Sequence, residues 1–403
     1  MIKKTLIISS LIVSLYAQSA SEYKKQQMQD FKNQKTQFKT YKNNLNAEFK
    51  DYQEAQTKAF NDYKKEVGAF WEEAKLSTQK IWVAYAKDKK TRTNVDFEKE
   101  VIIVETIASS LEEAEKKLQL ALAKVVTVDT KTVQENDPLE VKISKIKKPF
   151  NVVTAEVEAE PILTTVIFDK SPTPKKVVAY VKEKINITKI KAVKSNKIKH
   201  ANVYSVSVAM PKNAMIKRSK LYYNEVKKQA ARQKLPVPLV FAIMHSESSF
   251  NPRARSYIPA YGLMQIVPKS AGIDTYRYLY KKKKLVSGSY LYNSTNNITM
   301  GSGYLHILYY RYLKKIKNPD SRLYCTIAAY NTGAGNIAYA FNRHKNLTRK
   351  QKYRVANAAD DINALTPQQV YDRLLKDLKY DEPKHYLKKV SKRMSAYHKV
   401  YGL

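Results

Sequence analysis

PVPLVFAIMHSESSFNPRARS, residues 236–256, is the stretch on which the fold of the chain's second half turns. Val240, Ile243, Glu247 and Phe250 follow one another at steps of three, four and three, which is the spacing of a single helix face. A helix beginning near Pro238 is therefore predicted, with a carboxylate on the stripe that should face the core. Two readings stay open for Glu247. Burial beside apolar groups would disfavour its charged form and let it hold a proton near neutral pH. Alternatively, it sits at the stripe's edge and snorkels to water. His245, two residues earlier, points off that face and is expected to be structural or solvent-facing.

Outward from this helix, the chain from Ile216 onward is almost wholly helical in pattern. Turns are marked at Asn251-Pro252, Pro259, Gly262, Pro268, Gly288, Pro319 and Thr332-Gly333. Residues 213–403 are read as one α-rich domain. Upstream, NVDFEKEVIIVETI (94–107) alternates and is β-branched, predicting a strand or hairpin. SSLEEAEKKLQLALAKVV (109–126) then returns to helical spacing behind a serine cap. Strand-like runs recur at 149–168 and 201–211, around the segment 175–199. Residues 93–212 thus read as a small α+β domain.

Residues 20–92 read as a long amphipathic helical segment. From Phe38 the sequence repeats every eleven residues: FKTYKNNLNAE, FKDYQEAQTKA, FNDYKKEVGAF. Phe38, Phe49 and Phe60 open the units, and Tyr41, Tyr52 and Tyr63 follow three residues on. Eleven residues make close to three helical turns, so the aromatics form a nearly straight stripe. That stripe has three possible seats: the rest of the molecule, another helix, or a membrane surface.

Residues 1–19 carry Lys3 and Lys4, an apolar run from Leu6 to Tyr16, and Ala17-Gln18-Ser19, the layout of a secretory signal peptide. The run is too short to span a bilayer. Export to the periplasm is predicted, with outer-membrane association left open. No cysteine stands where a lipid would be attached, and Cys325 is expected to be a small buried core residue. The net charge is +37, or +35 without Lys3 and Lys4. Such a surplus calls for anionic neighbours or makes solvated faces. Nucleic acid is disfavoured by export, whereas peptidoglycan stems and anionic lipids lie outside the cytoplasm. The six His and one Cys make no metal-ligand spacing, and no GxGxxG or P-loop occurs, so no cofactor is expected.

Four strings occur in order: HSESSFNPRARS (245–256), AYGLMQIVPKSAG (260–272), AAYNTGAGN (328–336) and EPKHYLKKV (382–390). Together they closely resemble the motifs of the lytic transglycosylases of the soluble lytic type. The segments 296–336 and 364–375, with 94–107, narrow the resemblance to the membrane-bound lytic murein transglycosylase C group. The resemblance implies a lysozyme-like catalytic domain. The fold class expected for the whole chain is thus α+β, with an α-rich lysozyme-like domain preceded by a long helix and a small α+β domain.

The resemblance also implies a reaction on peptidoglycan glycan strands. Glu247 would protonate the glycosidic oxygen between N-acetylmuramic acid and N-acetylglucosamine. The substrate's N-acetyl group would stabilise the oxocarbenium-like centre, and the same carboxylate would then draw the proton from the C6 hydroxyl, closing a 1,6-anhydro ring. A lysozyme-like hydrolase and a non-catalytic wall-binding scaffold are the alternatives.

Ser256 matches a serine beside the catalytic Glu and the N-acetyl group, or is a turn serine. Gly262 allows close backbone approach, or only a positive φ. Met264 and Gln265 match groove-lining positions, Met264 with core filling as its alternative. Tyr330 is expected near the carboxylate. Asn331 is expected near the N-acetyl group, or as a helix cap. Tyr386 is expected to support the carboxylate from the other side, or simply to pack. Thr332 and Pro383 stand where the family often has Gly and Ser or Thr. Oligomeric state is not legible.

Overall fold

The computed structural model describes residues 28–29, 47–149, 151–257 and 259–402. The expected signal segment 1–19, with Phe38 and Tyr41 of the first repeat, lies outside them. The chain divides into a smaller unit, residues 1–59 with 146–151, and a larger one, residues 60–145 with 152–403. In the smaller unit, residues 47–59 are helical, and the rings of Phe49 and Tyr52 lie 6.5 Å apart.

The larger unit opens with α1 (residues 60–68) and a five-stranded antiparallel sheet in the order β1 (Ile81–Tyr85), β2 (Thr91–Asp96), β3 (Val101–Ala108), β6 (Asn202–Ala209), β5 (Lys191–Lys194). The hairpin predicted over 94–107 is β2 and β3, with Asn94 opposite Ile103. After β3 comes α2 (Leu111–Thr127), capped as predicted by Ser110, whose side chain accepts the Glu113 N–H. Leu118, Leu122, Val125 and Val126 of α2 cover the sheet face that carries Trp82, Val95, Ile102, Val104, Val206 and Val208.

The opposite face, with Val83, Tyr85 and Ile107, is covered by Tyr63 and Val67 of α1 and by Trp71. The stripe from Tyr63 onward therefore docks within the molecule. Burying Val67 completely contributes about 2 kcal/mol. Because both faces are covered, every residue of β2 is buried, charged ones included. Arg92 survives there by forming two hydrogen bonds to the Glu105 carboxylate, at 2.7 and 3.1 Å, beneath the Trp71 ring, 3.9 Å from its centroid.

Two expectations are corrected. The helical segment predicted to run to residue 92 ends at Gly68, and Ile81–Tyr85 is already an edge strand of the sheet. The Phe/Tyr period ends with Tyr63, and in IWVAY Trp82 and Val83 are buried on opposite faces of the sheet. Second, residues 149–168 make no long strand. After α3 (Thr130–Asn136) and α4 (Pro138–Ser144), the one strand among the described residues of this run is β4 (Val152–Val153), parallel to β7 (Leu285–Val286), and Pro161 makes an isolated bridge to Asp129. Val157 joins the core of the α-rich region, and Glu160 accepts the Ser294 hydroxyl at 2.5 Å. This run therefore lies along the helical domain before α5 (Thr164–Phe168) and α6 (Pro174–Lys184) return to the sheet.

The helical region comprises α7 (Ala214–Leu221), α8 (Tyr223–Gln233), α9 (Val237–Ser248), α10 (Ile273–Tyr280), α11 (Gly288–Tyr292), α12 (Ser294–Ile307), α13 (Pro319–Thr332), α14 (Ala334–Asn342), α15 (Arg349–Lys352), α16 (Val355–Asn363), α17 (Pro367–Asp377) and α18 (Asp381–Tyr401). Its core centres on α9, which packs along α18. Cys325 is wholly buried in α13, as its apolar context predicted. No described helix is long and apolar enough to cross a membrane.

Candidate active site

From Leu239 to Ser248, α9 is buried except at His245 and Glu247, which are half-buried. The helix ends at Ser248, two residues before the Phe250 that the apolar spacing placed on its face. Ser249 and Phe250 both take left-handed backbone conformations, φ 51° and 60°, a combination that costs side-chain-bearing residues energy and persists only where packing enforces it. Phe250 is held among Tyr222, Phe241 and Tyr397. The chain thereby reverses directly after Glu247, and the loop that carries Arg253 to Ser256 lies against the α+β region.

Glu247 Oε1 accepts the Tyr386 hydroxyl at 2.6 Å. Burial pushes the Glu247 carboxyl up from 4.5 to about 7. The Tyr386 hydrogen bond opposes that rise, the Glu382 carboxylate adds to it, and Lys80 and Lys389 oppose it. Of the two sequence readings for Glu247, the retained proton is the one that fits. Burial, with Glu247 beside it, raises the Tyr386 hydroxyl well above its ordinary value, so it stays a donor. His245 Nδ1 pairs with the Tyr397 hydroxyl at 3.0 Å, and burial, aided by Arg393 and Lys80, lowers its pKa to about 3. It is a neutral structural group at physiological pH.

Tyr330 on α13 donates to the Met264 carbonyl at 2.8 Å and lies within electrostatic reach of Glu247. Asn331 donates its amide to Glu382 Oε1 at 3.1 Å. It is not the helix cap: Asn336 closes the end of α13, donating to the Thr332 carbonyl at 2.8 Å and hydroxyl at 2.9 Å. That contact gives Thr332 a use no glycine could supply. Pro383 sits in the first turn of α18, where a missing N–H interrupts no helical bond.

The loop after α9 is fixed by backbone geometry. Gly262 has φ +73°, and a Cβ there would lie 2.3 Å from Asn297 Nδ2 and 2.4 Å from the Leu291 carbonyl. Its missing side chain makes room for Asn297, which takes the Met264 N–H at 2.8 Å and donates to the carbonyls of Tyr261 and Leu291. Met264 corrects an expectation. Its side chain is fully buried and packs where a Cβ on Gly301 would meet its sulfur at 2.2 Å, so it fills core and lines no groove. Only its carbonyl serves the site.

Gln265 stands at φ 49° and donates to the Gly262 carbonyl at 3.0 Å, and its own buried Oε1 has no donor among the described residues. Ser256, half-buried, accepts the Ala260 N–H at 3.0 Å and shapes the turn.

Sequence reasoning missed the grip on this loop. Arg253 is held by Glu140 at 3.2 Å and Gln134 at 2.9 Å and stacks on Tyr292, 3.9 Å from its centroid. Asn251 donates to the Gln79 carbonyl and the Arg255 N–H to that of Thr78, both at 3.3 Å. Nothing in the sequence paired these distant positions. Glu382 was legible in principle, since four residues before Tyr386 is the same helix face. A cavity of about 110 Å³ between the sheet and α2, walled by Trp82, Val125 and Val133, contains none of these residues.

The sequence has counterparts in known proteins. A model described as the Transglycosylase SLT domain matches residues 224–353, and one described as the membrane-bound lytic murein transglycosylase C N-terminal domain matches residues 49–221. The chain is 32% identical over 330 residues to a membrane-bound lytic murein transglycosylase C of Klebsiella pneumoniae, covering 81% of this chain and 84% of that one. To its counterpart in Salmonella arizonae it is 31% identical over 327 residues, with the same coverage. Among solved structures, the 70 kDa soluble lytic transglycosylase of Escherichia coli is 22% identical with a TM-score of 0.34, covering 45% of this chain and 24% of that one. Because the likeness to the Klebsiella and Salmonella proteins takes in the α+β region as well as the helical one, the chain belongs to the membrane-bound lytic murein transglycosylase C family of peptidoglycan-cleaving enzymes.

Proposed function

We propose that this chain cuts the β-1,4 bond between N-acetylmuramic acid and N-acetylglucosamine by a water-free route, with Glu247 as acid and then base. The observation that carries the reading is the Glu247 carboxyl itself: hydrogen-bonded to Tyr386 at 2.6 Å and poised at about 7. A group balanced there can give a proton to the leaving oxygen and take one back near neutral pH. Departure of the leaving sugar develops positive charge at C1 of the muramic residue, which its own N-acetyl oxygen stabilises. Glu247, now ionised, removes the C6 hydroxyl proton, and O6 closes on C1. Proton and bond count balance without water, so the product ends in 1,6-anhydromuramic acid.

In this scheme Tyr386 steadies the carboxylate while it is charged, and Asn331 and Gln265 offer amides to the sugar's N-acetyl and hydroxyl groups. Tyr330, through the Met264 carbonyl, fixes the wall between them. Ser256 supplies a hydroxyl at the turn, and Gly262 sets that turn's path. Peptidoglycan substrate implies a periplasmic site of action, with any membrane attachment peripheral. Flotation of the mature protein with anionic vesicles tests the attachment, which is refuted if all of it stays at the bottom.

Mass spectrometry of digested peptidoglycan tests the chemistry. Muropeptides lacking the mass of one water are expected from the wild type. Glu247→Gln is expected to lower the rate more than about a hundredfold. Hydrated reducing ends would indicate a hydrolase, and unchanged wall binding with no cleavage by either protein would indicate a scaffold.

A further inference from the structure

Beside Glu247 lies a charge cluster that the proposed chemistry does not use. Lys80, just before β1, and Lys389 and Arg393 on α18 converge on a single carboxylate oxygen, Glu98 Oε1, in the β2–β3 turn. Lys389 Nζ is 2.9 Å from it and Arg393 Nη2 3.6 Å, and Lys80 pairs with it too. Three cations therefore share one anion, a surplus of two positive charges.

The cluster is tied to the reacting carboxyl from two sides. Lys389 and Arg393 stand three and seven residues after Tyr386, on the same face of α18. Arg393 Nη1 also donates to the hydroxyl of Ser246, the neighbour of Glu247, at 3.0 Å. The field of Lys80 and Lys389 reaches the Glu247 carboxyl. The site remains open to ligands, since the Lys389 side chain is 40% exposed and that of Lys80 20%. An ammonium has three donors, and Glu98 is the one carboxylate either lysine pairs with among the described residues.

The sugars of a glycan strand are neutral. Its carboxylates belong to the peptide stem on each muramic residue, and the muramic residue is the one whose C1 must sit at Glu247. A stem carboxylate is thus the anion that the reaction brings to this place. We propose that Lys80, Lys389 and Arg393 form an anion subsite for a stem carboxylate, making peptide-bearing strands the preferred substrate; the proposal rests on the catalytic reading of Glu247. Glu98 serves as the resident counter-ion, holding the cations together until the stem competes for them.

The test measures binding of full-length Glu247→Gln protein to two soluble probes. These are stem-bearing glycan strands, and the same strands after carbodiimide coupling to ammonia has turned their stem carboxylates into neutral amides. Lys389→Met in that background is expected to weaken binding of stem-bearing strands about five- to tenfold and to leave the amidated strands unchanged. Glu98→Gln removes the competing carboxylate and is expected to tighten binding of stem-bearing strands. A purely structural network would make both substitutions act in the same direction on both probes, and that result overturns the proposal. So does an equal loss on the two probes from Lys389→Met. Residual cleavage by Glu247→Gln would count against the catalytic reading, whereas the difference between probes reads the subsite alone.

Discussion

Glu247→Gln removes a titrating proton while keeping an oxygen for the Tyr386 hydroxyl to donate to, so its effect on stability isolates the cost of charging a buried carboxyl. The folded-state pKa of Glu247 is raised from 4.5 to about 7 by burial. A group raised in this way contributes stability that is full below its unfolded value and is lost as pH climbs through the folded one. The shift corresponds to about 3 kcal/mol, which the side chain's remaining contact with water brings toward about 2 kcal/mol. Glutamine pays no such penalty. In denaturant unfolding, Glu247→Gln should exceed the wild type in stability at about pH 8, and the gap should shrink by about 2 kcal/mol on going to about pH 5. A gap that stays constant or grows toward acid would refute the reasoning, because the carboxyl would then not be held protonated by its surroundings.

Two substitutions around Glu247 should move the alkaline limb of the pH–rate profile in opposite directions. Tyr386→Phe removes a donor to the charged form and should shift it to higher pH, while Glu382→Gln removes a like charge and should shift it lower. Profiles of anhydro-product release read both. Gly262→Ala forces a side chain into a positive-φ position against Asn297 and the Leu291 carbonyl, and should lower unfolding free energy by about 3 kcal/mol in chemical denaturation. Arg253→Met and Glu140→Gln each strand a buried partner and should destabilise by about 3 kcal/mol, with a double-mutant cycle giving a coupling above about 1 kcal/mol.

Local signals carried the helices and the hairpin well, because their periods reflect which face is wet. Ser110 and the alternation of 94–107 fall where sequence placed them. The signal failed where burial is two-sided or shared between distant segments. IWVAY continues a stretch read as helix, and only the cover of Tyr63, Val67 and Trp71 on one face and α2 on the other makes it a strand. Val152 to Glu160 looked strand-like, yet its partners are scattered, Leu285 and Val286 for β4 and both Ser294 and Thr130 for Glu160. Of the residues the motif strings named, Tyr386 and Tyr330 lie beside Glu247, and Asn331 bonds Glu382. Motifs do not say which way a side chain turns, and Met264 turns inward under Gly301. Nor do they pair Arg253 with Glu140, since a contact across such a separation leaves no period in the chain.

Glu382 bears on why one carboxyl suffices for the proposed chemistry. Glycosidases that use two carboxylates assign one to protonation and the other to attack or to activating water. Here the second carboxylate is exposed, on the first turn of α18, and it accepts the Asn331 amide. Its charge raises the Glu247 pKa, so its influence on the reaction is to help keep a proton on its neighbour until the leaving oxygen takes it. The cations Lys80 and Lys389 work against it, and they are the groups that a stem carboxylate would partly neutralise. Binding a peptide-bearing strand would then weaken the field that favours ionised Glu247, leaving Glu382 and burial to hold the carboxyl protonated. Substrate recognition and proton retention would thus be coupled through one electrostatic balance, in which the arriving stem readies the acid that will cut beside it.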